Sequence, residues 1–196
     1  QLYIQYNPKG DIVMKKLGAI LSAAVLALMV SAAAYAADVA VTSVGQSPDA
    51  MMVRVLMKSL KIETDYDAVM KPAKLTNQKV LVAVIGGSSK GLGAAGINKE
   101  DEVKRTNELF KAAHAKKMKI VMMHVGGDGR RGTLSDLFIE SAVPQGDVLI
   151  LVDGADKDGL FTKLTKAKKI PVKTAANING TKEPLKEVLN GYGVTK

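Results

Sequence analysis

The chain alternates between short apolar runs and longer stretches in which apolar residues recur every three or four positions. The clearest run, residues 80–85 (VLVAVI), contains no polar break. Such a run is typical of a strand that is buried on both faces of a parallel sheet. Comparable patterns predict further strands over residues 37–44, 62–66, 119–125, 148–152 and 171–174.

The stretches between these runs carry helical periodicity and helix-start signals. They predict helices over residues 48–60, 99–117, 133–141, 160–168 and 183–189. Ser47 is placed at the N-cap of the first helix with Pro48 at its first helical position, and Asn98 caps the second. Thr133 and Asp136 have the spacing of a capping box. The apolar stripe of the first helix is predicted to face the core: Met51, Met52, Val55, Leu56 and Leu60.

Strands that alternate with helices form right-handed βαβ units. The predicted fold class is therefore α/β, with three layers around a mainly parallel sheet of five to six strands. The expected sheet is flavodoxin-like or Rossmann-like, with strand order 2-1-3-4-5 and a short extra edge strand. In such sheets ligands bind beyond the carboxyl ends of the strands, at the switch between strands one and three.

The segment before the first strand has the three parts of a secretory signal peptide. Lys15 and Lys16 precede an apolar stretch over residues 17–30, and Ala34 and Ala36 flank a cleavage point. The alternative, a transmembrane anchor, needs about 20 apolar residues, more than the dense part of this stretch contains. We therefore predict a non-native leader (1–13), a signal peptide (14–36) and a single α/β domain (37–196). The domain is expected to be periplasmic or extracellular, without a stable membrane anchor after cleavage.

Composition narrows the classes of function. Lys and Arg number 28 against 19 Asp and Glu, but the cations are scattered along the predicted helices and aromatic residues make up only 4%. A nucleic-acid partner is therefore not expected. The chain contains no Cys, which excludes disulfides, and only two His, which leave almost no ligands for a zinc site. No metal or cofactor is assigned.

Three glycine-bearing loops follow strands at the carboxyl edge of the predicted sheet. Glycine lets backbone N–H groups approach a ligand, and helix N-termini attract anions. The paired arginines of the third loop would suit a carboxylate or phosphate, or would instead pair with Asp128 or Asp136. The sequence thus predicts a site for a small anionic or polar molecule, formed by Gln46, Ser47, Gly87, Ser88, Ser89, Lys90, Gly91, Gly93, Asp128, Arg130 and Arg131.

Two enzymatic alternatives would use the same loops. Residues 87–93 (GSSKGLG) are similar to the T-G-x-x-x-G-x-G turn of short-chain dehydrogenases, and residues 192–196 match their Tyr-x-x-x-Lys. The turn follows the third strand, however, and the tyrosine lies at the C-terminus, which argues against a nicotinamide cofactor. A hydrolase would use Ser88 or Ser89, but there is no G-x-S-x-G elbow. His124 is predicted to be a buried structural histidine rather than a general base, and His114 a surface residue.

Four blocks of the chain, together with the signal peptide, resemble a family of uncharacterised exported bacterial proteins known as a domain of unknown function. The blocks are VGQSPDAMMVRVL, VIGGSSKGLGAAGI, HVGGDGRRGTLSD and DGADKDGLFTK. The resemblance implies an exported α/β domain and supplies no catalytic residue. The predicted function is small-anion binding. An exported enzyme, or an accessory component of an envelope or transport assembly with a protein partner, stays open.

Overall fold

A computed structural model describes residues 37–194. The predicted leader (1–13) and signal peptide (14–36) lie outside the described residues, as does Lys196 of the Tyr-x-x-x-Lys match.

Six parallel strands form one sheet in the order β2-β1-β3-β4-β5-β6. This confirms the predicted α/β class and the flavodoxin-like order with an extra edge strand. The strands are β1 (Val39–Val44), β2 (Thr64–Tyr66), β3 (Val80–Ile85), β4 (Lys119–His124), β5 (Val148–Val152) and β6 (Val172–Ala175).

Within residues 37–194, six α-helices accompany the strands: α1 (Asp49–Ser59), α2 (Ser89–Ala95), α3 (Lys99–Ala115), α4 (Thr133–Ala142), α5 (Leu160–Lys168) and α6 (Lys182–Gly191). Short 3₁₀ turns occupy Pro72–Lys74, Asp128–Arg130, Val143–Gln145 and Asn179–Thr181. Among residues 37–194, no helix has the length and apolarity that a bilayer crossing requires.

The central strand β3 sends alternate side chains into two hydrophobic cores. Val80, Val82 and Val84 pack with α1 and α6, and the intervening residues pack with α3, α4 and α5 on the opposite face. Every side chain of β3 is fully buried. This explains the unbroken apolar run, because a strand between two helical layers has no face for polar residues.

Helix α1 corrects two sequence-based predictions. It begins at Asp49, so Pro48 stands at the N-cap rather than at the first helical position. The buried residues of α1 are Asp49, Ala50, Val53, Leu56 and Met57, whereas three members of the predicted stripe are exposed: Met51, Met52 and Val55. The prediction was wrong because α1 carries apolar residues on more than one side. The spacing of these residues alone does not determine which side faces the core.

Two other helix starts also bear on the predictions. The predicted capping box does not form, because the N-cap of α4 is Gly132, which has no side chain, and not Thr133. Asp136 Oδ1 accepts the Gly132 N–H at 3.5 Å. Asn98 does cap α3, by accepting from the Asp101 N–H at 2.7 Å. Helix α2 was not predicted, although Ser88 caps its start and Gly96 ends it in the left-handed conformation.

Candidate ligand-binding site

The loops after β1 and β3 are joined by hydrogen bonds at the carboxyl edge of the sheet. Gln46 and Gly87 form an antiparallel bridge, and the Ser88 N–H donates to the Gly45 carbonyl at 2.9 Å. The Ser47 N–H donates to the Gly86 carbonyl at 3.1 Å. The structure thus brings two of the three predicted loops together at the expected switch point.

Close packing between protein segments accounts for several of the glycines. A Cβ at Gly91 would lie 1.9 Å from the Gln46 carbonyl oxygen, and one at Gly126 would lie 2.4 Å from the Cβ of Arg130. At Gly93, by contrast, no atom lies within 4 Å of the added carbon. Gly91, which the sequence analysis assigned to the ligand site, therefore serves a contact within the protein, as Gly126 does.

Gln46 directs its side chain into the protein rather than toward a ligand. Its Nε2 donates to the Ala68 carbonyl at 2.8 Å and to the Glu102 carboxylate at 3.0 Å. The residue is buried and adopts a positive φ of 60°. Its role in the predicted site is thus to shape the loop after β1.

A buried ion pair beneath this loop escaped the sequence analysis. The Glu102 side chain on α3 is fully buried, and its Oε1 accepts the Gly45 N–H at 2.9 Å. Arg105 donates to Glu102 through Nε at 2.7 Å and Nη2 at 2.8 Å. Arg105 also donates to the carbonyls of Met70 and Ser43. The pair therefore ties α3 to the end of β1 and to the segment after β2.

Arg130 lies beside Ser47 and Gly86 and is held by Asp49 at the start of α1. Its Nε donates to Asp49 Oδ2 at 3.1 Å and its Nη2 to Oδ1 at 3.4 Å. A Cβ added at Gly86 would lie 2.8 Å from Ser47 Oγ and 3.0 Å from Arg130 Cγ, so the three residues are immediate neighbours. The Asp49 side chain is 6% exposed and that of Arg130 is 31% exposed. Arg130 is therefore fixed in place and still reachable from solvent.

Arg131 is directed to a different part of the molecule. Its guanidinium donates to Asp136 at 2.7 Å, to both oxygens of Asp158 at 3.0 and 2.7 Å, and to the Ala155 carbonyl. It also lies over the Phe161 ring, 5.4 Å from the ring centroid. The hydrogen bond from Arg131 lowers the pKa of Asp158 to about 2. These contacts support the alternative in which this arginine pairs with nearby carboxylates.

The remaining predicted residues divide between caps and exposed positions. Ser88 Oγ accepts the Gly91 N–H at 3.0 Å, which caps α2. Ser89 and Lys90 are exposed in the first turn of that helix. Asp128 pairs with Lys157 at 2.7 Å on the surface. Ser89 and Lys90 are thus available to a ligand near the joined loops.

A groove of about 400 Å³ lies at the same edge of the sheet, between β5, β6 and α5. Leu151, Phe161 and Val172 line its apolar part, and Asp153 and Asp156 supply carboxylates. Asp156 already accepts the N–H groups of Phe161 and Thr162 at the start of α5. Two carboxylates against the single ammonium of Lys157 give the groove a net negative lining, which suits an anion less well than the surface around Arg130 does.

His124 is enclosed at the end of β4. Its ring is fully buried, with Nδ1 3.0 Å from the Ile85 carbonyl and Nε2 3.2 Å from the Gly127 carbonyl. Desolvation by burial lowers the pKa of His124, and hydrogen bonds to these two carbonyls oppose the shift. Both ring nitrogens are occupied by backbone, which supports the prediction of a structural histidine. His114 is exposed, as predicted.

The lowered pKa of His124 predicts a pH-dependent stability. The unfolded chain binds a proton at this ring below pH 6.5. The folded chain does so only at lower pH, so the free energy of unfolding falls as the pH drops from about 6.5 toward the folded-state pKa. Urea unfolding at about pH 7 and pH 5 should show a smaller loss for His124→Gln than for the wild type. His114→Gln is the matched control and should retain the wild-type loss. Equal losses in all three proteins would contradict this assignment.

Among residues 37–194, no group of three or more His, Cys, Asp or Glu side chains is placed to hold a metal ion.

A family model described as a domain of unknown function (DUF6305) matches residues 36–189, which confirms the predicted resemblance. Among curated proteins, none matches the chain. Among solved structures, a GDSL-like lipase from Bacteroides thetaiotaomicron VPI-5482 is similar at 11% identity and a TM-score of 0.35, over 80% of this chain and 86% of that one. A likeness of this size carries no argument about activity.

Proposed function

We propose that this chain, which belongs to the DUF6305 family of unknown function, is an exported domain that binds a small anion beside Arg130. The observation that carries the proposal is the state of Arg130, which is fixed by the Asp49 carboxylate and remains 31% exposed. It lies at the switch between β1 and β3, where open α/β sheets bind their ligands.

The pairing with Asp49 prepares Arg130 for an anion. A guanidinium carries five N–H donors, and Asp49 takes those on Nε and one on Nη2. Among residues 37–194, none accepts a hydrogen bond from Nη1. A side chain that is already ordered loses little conformational entropy when it binds a carboxylate or phosphate.

The neighbouring loop supplies further donors and a second positive charge. Ser47 Oγ is adjacent to Gly86, and Ser89 and Lys90 are exposed in the first turn of α2. Lys90 adds a positive charge in the helix that follows the β3 loop, and a positive charge favours an anion nearby. Arg131 takes no part, because its donors are directed to Asp136, Asp158 and Ala155.

Binding is favoured over hydrolysis by the state of His124. A serine nucleophile needs a base within hydrogen-bond reach, and the His124 ring is buried between two carbonyl oxygens. The only other histidine in the chain, His114, lies on the exposed side of α3.

A thermal-shift panel with phosphate, citrate, nucleotides and nicotinamide cofactors tests the proposal. A ligand at about 100 times its dissociation constant adds roughly 2.7 kcal/mol, which raises Tm by roughly 5–10 °C. Arg130→Lys should reduce the shift given by the best anion, because lysine keeps the charge and loses the planar fork. Arg131→Lys is the matched control: it should lower the starting Tm and leave the anion-induced shift intact.

Two results would overturn the proposal. An anion-induced shift of the same size in Arg130→Lys and the wild type would place the ligand elsewhere. A shift given by a nicotinamide cofactor alone would favour the oxidoreductase alternative.

A further inference from the structure

The outer side of α1 carries a compact apolar surface. Met51, Met52 and Val55 are 44%, 49% and 62% exposed, and they are three of the five large hydrophobic residues exposed among residues 37–194. We call these three residues the α1 face. Clustered exposed apolar side chains of this kind mark interaction sites more often than scattered ones do.

A groove lies beside the α1 face, and the three residues of the face form part of its wall. Its volume is about 270 Å³, and Leu56 and Ile178 line it together with the three residues of the face. Ser59, Asn179 and Lys182 supply its polar lining. The groove is thus largely apolar on the helix side, with an ammonium group beside it.

The charges around the α1 face are cationic. Arg54 and Lys58 are exposed on the same helix, and Lys182 lines the groove. Arg54 lies over the Tyr66 ring at 5.0 Å, with its Nη1 3.9 Å from the sulfur of Met51. The single acidic residue of α1, Asp49, is buried and paired with Arg130. Among residues 37–194, no carboxylate lines the groove.

We propose that the α1 face docks reversibly on an anionic phospholipid surface. Methionine and valine side chains would enter the headgroup boundary, while Arg54, Lys58 and Lys182 contact lipid phosphates. A short amphipathic surface with basic flanks is the arrangement that interfacial helices use. Residues 37–196 carry 25 Lys and Arg against 18 Asp and Glu, and this net charge of +7 adds a long-range attraction toward such a surface.

Other occupants fit the α1 face less well. A second copy related by two-fold symmetry would bring Arg54 and Lys58 of one face close to the same cations of the other. A stable protein interface needs about 800 Å² from each partner, and three side chains beside one groove offer only a small part of that. Adsorption to lipid needs only apolar insertion and cations.

A single tryptophan tests the proposal, because the chain contains none. Val55→Trp places the probe on the α1 face, and Leu137→Trp places it on α4, where residue 137 is 36% exposed. With vesicles of equal parts phosphatidylglycerol and phosphatidylcholine at low ionic strength, the emission of Val55→Trp should shift to the blue. Vesicles of phosphatidylcholine alone should leave it unchanged, and Leu137→Trp should respond to neither.

Charge-reversal variants provide a second test of vesicle binding. Lys58→Glu in the Val55→Trp background should weaken vesicle binding about tenfold, whereas Lys99→Glu, a reversal on α3, should have little effect. Equal responses of the two tryptophan probes would overturn the proposal, as would no response at residue 55. A blue shift that grows with protein concentration without lipid would assign the α1 face to a second copy. A shift given by an acidic amphipathic peptide and not by vesicles would assign it to a protein partner.

Discussion

Glu102→Gln should lower the free energy of unfolding by about 3–5 kcal/mol, because it leaves the buried guanidinium of Arg105 without its carboxylate. The Glu102 side chain is fully buried, and that of Arg105 is 11% exposed. Breaking such a pair costs far more than the pair itself contributes, since one charge stays buried and uncompensated. Urea unfolding at neutral pH measures the loss.

Glu108→Gln is the matched control, because Glu108 lies on the exposed side of the same helix. It should change stability by less than about 0.5 kcal/mol. The double variant Glu102→Gln/Arg105→Met should be less destabilised than the sum of the single variants, since it removes both charges together. A loss below about 1 kcal/mol for Glu102→Gln would mean that the pair does not anchor the loop after β1.

Gly91→Ala should destabilise the fold by about 2–3 kcal/mol, whereas Gly93→Ala on the same helix should stabilise it by about 0.5–1 kcal/mol. A Cβ at Gly91 would lie 1.9 Å from the backbone oxygen of Gln46, which cannot move without displacing the loop after β1. No atom lies within 4 Å of a Cβ added at Gly93, so the methyl group meets no clash. The substitution then changes stability only through the higher helix propensity of alanine.

The comparison of the two alanine variants isolates the contact between the loops, because both substitutions are identical in chemistry and lie in α2. Thermal or urea unfolding measures both variants. Stabilisation of Gly91→Ala to the same extent as Gly93→Ala would show that α2 and the loop after β1 are not packed as described.

The sheet could be predicted from the sequence because its signal is local. Strand β3 is buried on both faces, so its six side chains are all apolar and its ends match the prediction, Val80–Ile85. The order of the strands followed from the regular alternation of strands and helices. These features need no knowledge of which side chain contacts which.

The ion pairs of the structure could not be predicted, because they depend on contacts between residues that are distant in the sequence. Glu102 and Arg105 are three residues apart on α3, a spacing that is also usual for solvated surface pairs. Only their contacts with Gly45 and Ser43 reveal that they are buried. Arg130 and Arg131 are adjacent in sequence, yet they pair with Asp49 in one direction and with Asp136 and Asp158 in the other.

The meeting of the loops could therefore be predicted, whereas the side-chain contacts around them could not. The loops after β1 and β3 meet as expected, with Ser47 next to Gly86. Gln46 and Arg131 serve the structure, and Asp49, which was not a candidate, holds the arginine that remains. A carboxylate in the first turn of a helix is ordinarily explained by the helix dipole, so nothing in the sequence marked Asp49 as a partner of Arg130.

The most direct test of the account maps the bound anion by amide chemical shifts. The protein, labelled with ¹⁵N, would be titrated with the anion that gives the largest thermal shift. Anion binding beside Arg130 should give the largest shift changes at Ser47, in residues 86–90 and in residues 126–130, and these changes should be lost in Arg130→Lys. Changes concentrated in residues 153–159, beside the groove between β5 and β6, would contradict it and move the ligand site away from Arg130.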